Sequence, residues 1–241
     1  MEAESQGSPV AVPAERRRRV AIVAARNEAD RIGATIEALR DALGPIDVLV
    51  ADDASADRTR DVALAAGATV IGRNSPHGKG GNVTAAATAA LDGLPDDAIV
   101  LLCDGDLGAS AARLLPLLEA VEIGSCDLAI AAFERKVGGG LGLAKGYARW
   151  AIQRLCGYRA TAPISGQRAM GTTTLRDVVP FAPRYGMEIG MTVDAVRAGH
   201  TVEEVELDLE HRSTGRTLPG FVHRGRQLRD FVAVHASRAR G

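Results

Sequence analysis

Two carboxylates one residue apart, Asp104 and Asp106, follow directly on the apolar run Ile99–Cys103, with Gly105 between them to let the backbone turn. Carboxylate oxygens are hard ligands, and a pair aimed off the end of a buried strand suits Mg²⁺ or Mn²⁺ shared with substrate phosphates. Polar residues collect in the same way after other apolar runs. Val20–Ala24 leads into Arg26, Asn27 and Glu28, and Val48–Ala51 into Asp52 and Asp53. Thr69–Ile71 is followed by "NSPHGKGGN", residues 74–82. Lys79, in that stretch, is one of only three lysines (79, 136 and 145), and it sits at a glycine-flanked helix start where phosphates bind well. The spacing is not that of a P-loop, because Gly72 and Gly78 enclose five residues and Lys79 is followed by glycine. Nor does "GGGLGLAKG", residues 138–146, give a dinucleotide-binding fingerprint.

The elements that must position these residues alternate. Strands are expected over 20–24, 48–51, 69–71, 99–103 and 128–130, and helices over 32–43, 57–66, 80–91 and 114–121. That order implies a parallel sheet with helices on both faces. Ligands of such sheets sit outside the carboxyl ends of the strands, so one ligand lying across four strand ends accounts for the polar clustering. The second half is less regular. It offers a helix over 141–155 carrying Tyr147 and Trp150, a helix marked by Ile189, Val193 and Val196, and a strand over 202–209. A final basic helix would present Leu218, Phe221, Val222, Leu228, Phe231 and Val232 on one face. Residues 1–15, rich in small residues, proline and acids, read as a disordered tail, and 16–241 as a single domain.

Composition narrows the function classes. Hydrophobic residues make up 46% of the 241 but aromatics only 3%, so the core is aliphatic, as in packed helices and buried parallel strands. A formal net charge of -1 argues against a nucleic-acid partner. Cys103, Cys126 and Cys156 have neither disulfide nor metal spacing, and Cys103 reads as core; the expectation is a reduced, cytoplasmic protein. No apolar run approaches the ~20 residues that span a bilayer. From His211 onward seven arginines face one acid, a net of +6. A solvated face and a peripheral contact with an anionic membrane both remain open for that segment.

Along residues 20–107 the stretches "VAIVAARNEADRI", "VLVADDASADRT", "GKGGN" and "LLCDGDL" occur in an order and spacing that resemble the family 2 glycosyltransferases of GT-A fold. The resemblance implies an α/β fold of GT-A type: a mostly parallel nucleotide-binding sheet flanked by helices, with a smaller acceptor-side region. It divides the domain into a nucleotide-sugar-binding half, 16–131, and an acceptor half, 132–241. It implies that Asp53 binds the nucleotide base, with Ala24, Ala25, Arg26, Asn27 and Glu28 lining the pocket. Ser55 lies beside them, a turn role being its alternative. Lys79 would contact the diphosphate, and Asp104, Gly105 and Asp106 would form the metal and sugar-nucleotide motif, Asp106 being the direct ligand.

In the second half, "FAPRYGMEIGMTVDA" and "VELDLEHRSTGRTL" resemble glucosyl-3-phosphoglycerate synthases, with polyprenyl-phosphate sugar synthases as near relatives. That likeness implies that Glu188 points into the site and that His211 completes the metal shell. It also makes Ser165, Gly166, Gln167 and Arg168 of "PISGQRAM" an acceptor loop. Arg168, Arg212 and Arg216 are candidates to hold an acceptor phosphate, since guanidinium forks match its oxygens. The expected reaction is metal-dependent transfer of a hexose from a nucleotide diphosphate sugar, UDP-glucose first, to a phosphorylated acceptor such as 3-phosphoglycerate. A polyprenyl phosphate at the inner membrane face is the alternative acceptor, and homodimerisation stays open. A nucleotidyltransferase fits less well, because the glycine-rich loop expected after the first strand is absent from "AARNEADRI". A non-catalytic sugar-nucleotide-binding protein is the remaining alternative.

Overall fold

The computed structural model describes residues 17–133, 143–208 and 229–239. They form one seven-stranded sheet built from β1 (Arg19–Ala25), β2 (Asp47–Asp52), β3 (Thr69–Gly72), β4 (Ile99–Asp104), β5 (Leu128–Phe133), β6 (Arg168–Gly171) and β7 (Val202–Leu207). The spatial order is β3-β2-β1-β4-β6-β5-β7. The pairs β1–β2, β1–β4, β2–β3 and β5–β7 are parallel, whereas β6 runs antiparallel to both β4 and β5. The helices are α1 (Ile32–Leu43), α2 (Thr59–Ala65), α3 (Gly78–Leu91), α4 (Leu115–Glu122), α5 (Leu143–Cys156), α6 (Thr172–Val178) and α7 (Met187–Arg197). A further helix covers 229–238.

Both faces of the central strands are covered, which is why they read as continuous apolar runs. On β1, Ala21, Val23 and Ala25 pack with Ile36 and Leu39 of α1 and Leu117 and Leu118 of α4. Val20 and Ile22 point the other way, into a cluster with Val83 and Ala86 of α3 and Met187 and Met191 of α7. A third, smaller cluster joins Ala148 and Ile152 of α5 to Ile189 and Val193 of α7 and to Phe231 and Val234. Cys103 is buried among aliphatic neighbours in the first cluster, as expected.

The departures from expectation lie in the second half. β6 and α6 were not anticipated: a four-residue strand containing Arg168 and Gly171 has no apolar run to announce it. The sheet is mostly parallel, as the resemblance implies, with β6 its antiparallel strand. In the final helix Phe231 is buried, but Val232 stands 47% exposed instead of sharing the covered face. Trp150 is also exposed, stacked on His235 with ring centroids 5.0 Å apart. The stretch 218–228 lies outside the described residues.

Candidate active site

The strand ends expected to hold a ligand are stitched together by backbone hydrogen bonds. Gly105 N donates to Ala24 O at 2.8 Å, and Asp53 N donates to Ala25 O at 3.0 Å. These bonds carry the β1–β4 and β1–β2 ladders one residue past the strands. A Cβ on Gly105 would come within 3.2 Å of Ala24 O and of Ala25 Cβ, so a side chain would crowd this join. Above it opens a cleft of about 720 Å³ lined by Ala24, Ala25, Arg26, Glu28, Asp53, Lys79 and Asp104, with Arg184, Tyr185 and Arg229 opposite.

Asp53 is buried, and its two oxygens accept from His77 N at 2.7 Å and Gly78 N at 3.0 Å. It thereby holds the N-terminus of α3, where a carboxylate is favoured by unpaired N–H groups and by the helix dipole. Arg26 lies 3.8 Å away. Asp52 accepts from Ser55, whose hydroxyl also accepts from Asn27 N at 2.9 Å, so Ser55 is a turn residue that braces the pocket wall. Asn27 itself has φ 57° and caps the facing turn through its Oδ1, which accepts from Ala56 N.

Lys79, in the first turn of α3, reaches across the sheet end. Its Nζ is 2.7 Å from Asp104 Oδ1 and 3.1 Å from Glu188 Oε1, the latter in the first turn of α7. Burial by itself would lower the lysine's pKa; the Asp104 and Glu188 carboxylates outweigh burial and hold the ammonium charged well above its ordinary range. Gln167 Nε2 donates to Asp104 Oδ2 at 2.9 Å. Gly166 lies so close that a Cβ there would fall 2.3 Å from Lys79 Nζ and 3.0 Å from Asp104 Oδ2. The structure thus brings Lys79, Asp104, Gly166, Gln167 and Glu188 together from three separate elements and a loop.

The Asp106 turn is gripped from α1, a feature the sequence reading missed. Thr35 Oγ1 donates to Gly105 O at 2.8 Å and accepts from Gly108 N at 2.8 Å. One turn earlier, Arg31 Nη1 donates to Asp106 O at 3.0 Å. Asp104 and Asp106 supply oxygen donors of the type a divalent cation prefers. Among the described residues no group of three or more His, Cys, Asp or Glu side chains forms a metal cluster. The expected third ligand, His211, lies outside the described residues, as do Arg212 and Arg216.

One expected acceptor ligand needs correction. Arg168 is fully buried. It shares a face of β6 with Met170, since strand side chains alternate, and that face packs against α7. Its Nε donates to Ser165 O at 2.9 Å and its Nη1 to Thr192 Oγ1 at 3.0 Å. Burial lowers its pKa to about 10, opposed by Glu188 and Glu204. Arg168 therefore ties the 165–167 loop to the helix of Glu188 and does not face the cleft. The cleft is lined instead by Arg184, Tyr185 and Arg229, which sequence reading did not single out; "APRYG" beside the recognised Glu188 was the available signal.

Residues 20–178 match the model of glycosyl transferase family 2. The chain is 31% identical over 217 residues to the undecaprenyl-phosphate mannosyltransferase of Micrococcus luteus, covering 81% of this chain and 85% of that protein. It is 31% identical over 198 residues to the glucosyl-3-phosphoglycerate synthase of Mycolicibacterium smegmatis, covering 72% of this chain but only 62% of the synthase. Among solved structures, the glucosyl-3-phosphoglycerate synthase of Mycobacterium tuberculosis in complex with phosphoglyceric acid aligns with a TM-score of 0.73 at 26% identity, over 92% of this chain and 80% of that one. Its complex with Mn²⁺, UDP-glucose and phosphoglyceric acid aligns with a TM-score of 0.72 at 26% identity, over 92% and 79%. With the family match running from β1 through α6, and so taking in Asp53, Lys79, Asp104 and Asp106, the chain belongs to glycosyl transferase family 2 and is a glycosyltransferase of GT-A fold.

Proposed function

We propose that this glycosyltransferase moves glucose from UDP-glucose to a small phosphorylated hydroxy acid such as 3-phosphoglycerate. The observation that carries this reading is Lys79 bridging Asp104 and Glu188 at the floor of the cleft. Breaking the glycosyl C–O bond builds negative charge on the leaving diphosphate. An ammonium beside the diphosphate site stabilises that charge. A divalent cation at Asp104 and Asp106, when bound, supplies further stabilisation of the same charge. Asp53, with Ala24 to Glu28 around it, takes the base: a carboxylate that already accepts two N–H groups has lone-pair capacity for a third, such as the uracil N3–H. Glu188, buried in the first turn of α7, is assigned to orient or deprotonate the attacking hydroxyl. The Mycobacterium tuberculosis synthase, crystallised with Mn²⁺, UDP-glucose and phosphoglyceric acid, supports the choice of donor, metal and acceptor.

A second reading has its own observation. The undecaprenyl-phosphate mannosyltransferase of Micrococcus luteus is matched over 85% of its length, against 62% for the synthase, which favours a polyprenyl phosphate acceptor. One experiment separates the two: nucleotide release measured for UDP-, GDP- and ADP-sugars, each with 3-phosphoglycerate or a polyprenyl phosphate, in Mn²⁺ or Mg²⁺. Turnover with UDP-glucose and 3-phosphoglycerate is expected, and NMR of the product gives the anomer. Turnover confined to the polyprenyl phosphate would replace this reading with the second.

A further inference from the structure

Arg184 has a left-handed backbone, φ 55°, which a residue with a Cβ adopts only where its surroundings impose it. Its stem lies over the first turn of α3: a Cβ on Gly78 would stand 2.9 Å from Arg184 Cγ. Arg184 and Arg229 line the substrate cleft together, and together they line an adjoining cavity of about 400 Å³. Their side chains are 58% and 67% exposed.

The charge accounting at the cleft singles out this pair. Arg26 faces Asp53, and Lys79 is held between Asp104 and Glu188. Arg184 and Arg229 share one carboxylate among the described residues, the buried Asp230, at 4.0 and 3.4 Å. Two guanidiniums against one carboxylate leave the cleft mouth locally positive. Arg184 stands just before α7, the helix that carries Glu188. An anion held there would lie near the start of the helix that carries Glu188, four residues on in the chain. Guanidinium forks bind phosphate oxygens in pairs, and a phosphate monoester offers three.

We propose that Arg184 and Arg229 form the subsite for the phosphate monoester of the acceptor, leaving the donor diphosphate to Lys79. This rests on the reading of the site as one for transfer to a phosphorylated acceptor. Soluble phospho-acids and polyprenyl phosphates both present that group, and the test distinguishes them.

Binding of 3-phosphoglycerate, and separately of farnesyl phosphate in detergent, is measured by calorimetry on the protein saturated with UDP and Mn²⁺. The variants are Arg184→Gly, Arg229→Ala and the pair. Glycine suits φ 55°, so Arg184→Gly removes the cation without straining the fold. Each single change is expected to weaken the phosphate monoester about tenfold or more, as for loss of a charge-assisted hydrogen bond. UDP affinity should stay within about twofold, since other residues hold the diphosphate. Loss seen with 3-phosphoglycerate identifies a soluble acceptor. Loss seen only with farnesyl phosphate keeps the subsite but refutes the phosphoglycerate reading. Variants that bind the wild-type ligand unchanged, or that lose UDP to the same degree, overturn the subsite while leaving the glycosyltransferase assignment intact. A wild type that binds neither probe overturns both the subsite and the reading of a phosphorylated acceptor.

Discussion

Thr35 shows how much of this site is arranged by residues that meet no substrate. It is fully buried in α1, and one hydroxyl serves the Gly105 carbonyl and the Gly108 N–H, the two sides of the turn that presents Asp106. Thr35→Val keeps the shape and removes both bonds. Leaving those groups buried and unpaired should cost about 2 kcal/mol of stability. If Thr35 positions Asp106, the same change should also weaken Mn²⁺ binding to the UDP complex, read by electron paramagnetic resonance, and Thr35→Ser should restore it. Loss of stability with unchanged Mn²⁺ affinity would make Thr35 a core residue only. Asp106→Ala should abolish turnover with the melting temperature little changed, and excess EDTA should do the same to the wild type. Full activity in either case would remove the metal from the mechanism. Nothing in the sequence singles out Thr35 or Arg31, because an i, i+4 pair on an amphipathic helix looks like any other helical pair until the turn it holds is seen.

At the scale of elements, α3 has to come very close to the segment before α7 for Lys79 to reach Glu188. A Cβ on Gly80 would lie 2.0 Å from the carbonyl oxygen of Ala182 and 3.1 Å from Arg184 N. Backbone cannot yield as a flexible side chain does. Gly80→Ala should therefore destabilise the fold by about 1–3 kcal/mol or more, as overpacking does. It should also lower kcat beyond the loss of folded enzyme, because the shift carries Lys79 away from α7. A stable Gly80→Ala variant with normal kcat would contradict this account. The glycines of "GKGGN" were legible in sequence as a phosphate-type turn, but their packing against residues 182–184 depends on partners a hundred positions away. The first half of the chain reads well because β1 and β4 are buried on both faces and α1 puts Ile32, Ile36, Leu39 and Leu43 on one buried face. β6 does not read at all: Arg168 sits in the interior with hydrogen bonds to Ser165 O and Thr192, and such a buried cation looks in sequence like a surface ligand.

At the scale of the whole molecule, the cleft lies across the ends of β1, β2 and β4 and is closed on its other side by the segment before α7 and the start of the last helix. Lys79 of α3 pairs with Asp104 at the end of β4 and with Glu188 of α7, so one ammonium ties two carboxylates of different elements together. That link has a consequence for the sequence of substrate addition. A donor diphosphate competes for Lys79, and as the ammonium turns toward it, Glu188 loses its ion-pair partner and becomes available to a hydroxyl. The acceptor should then bind second. UDP is expected to compete with the donor sugar but not with the acceptor in steady-state inhibition, and to tighten acceptor binding at equilibrium. By linkage, the acceptor must tighten UDP by the same factor, so the coupling is measurable from either side. Replacing Lys79 with methionine should bring that factor to one, and a factor that survives the replacement would mean the donor and acceptor sites communicate by another route.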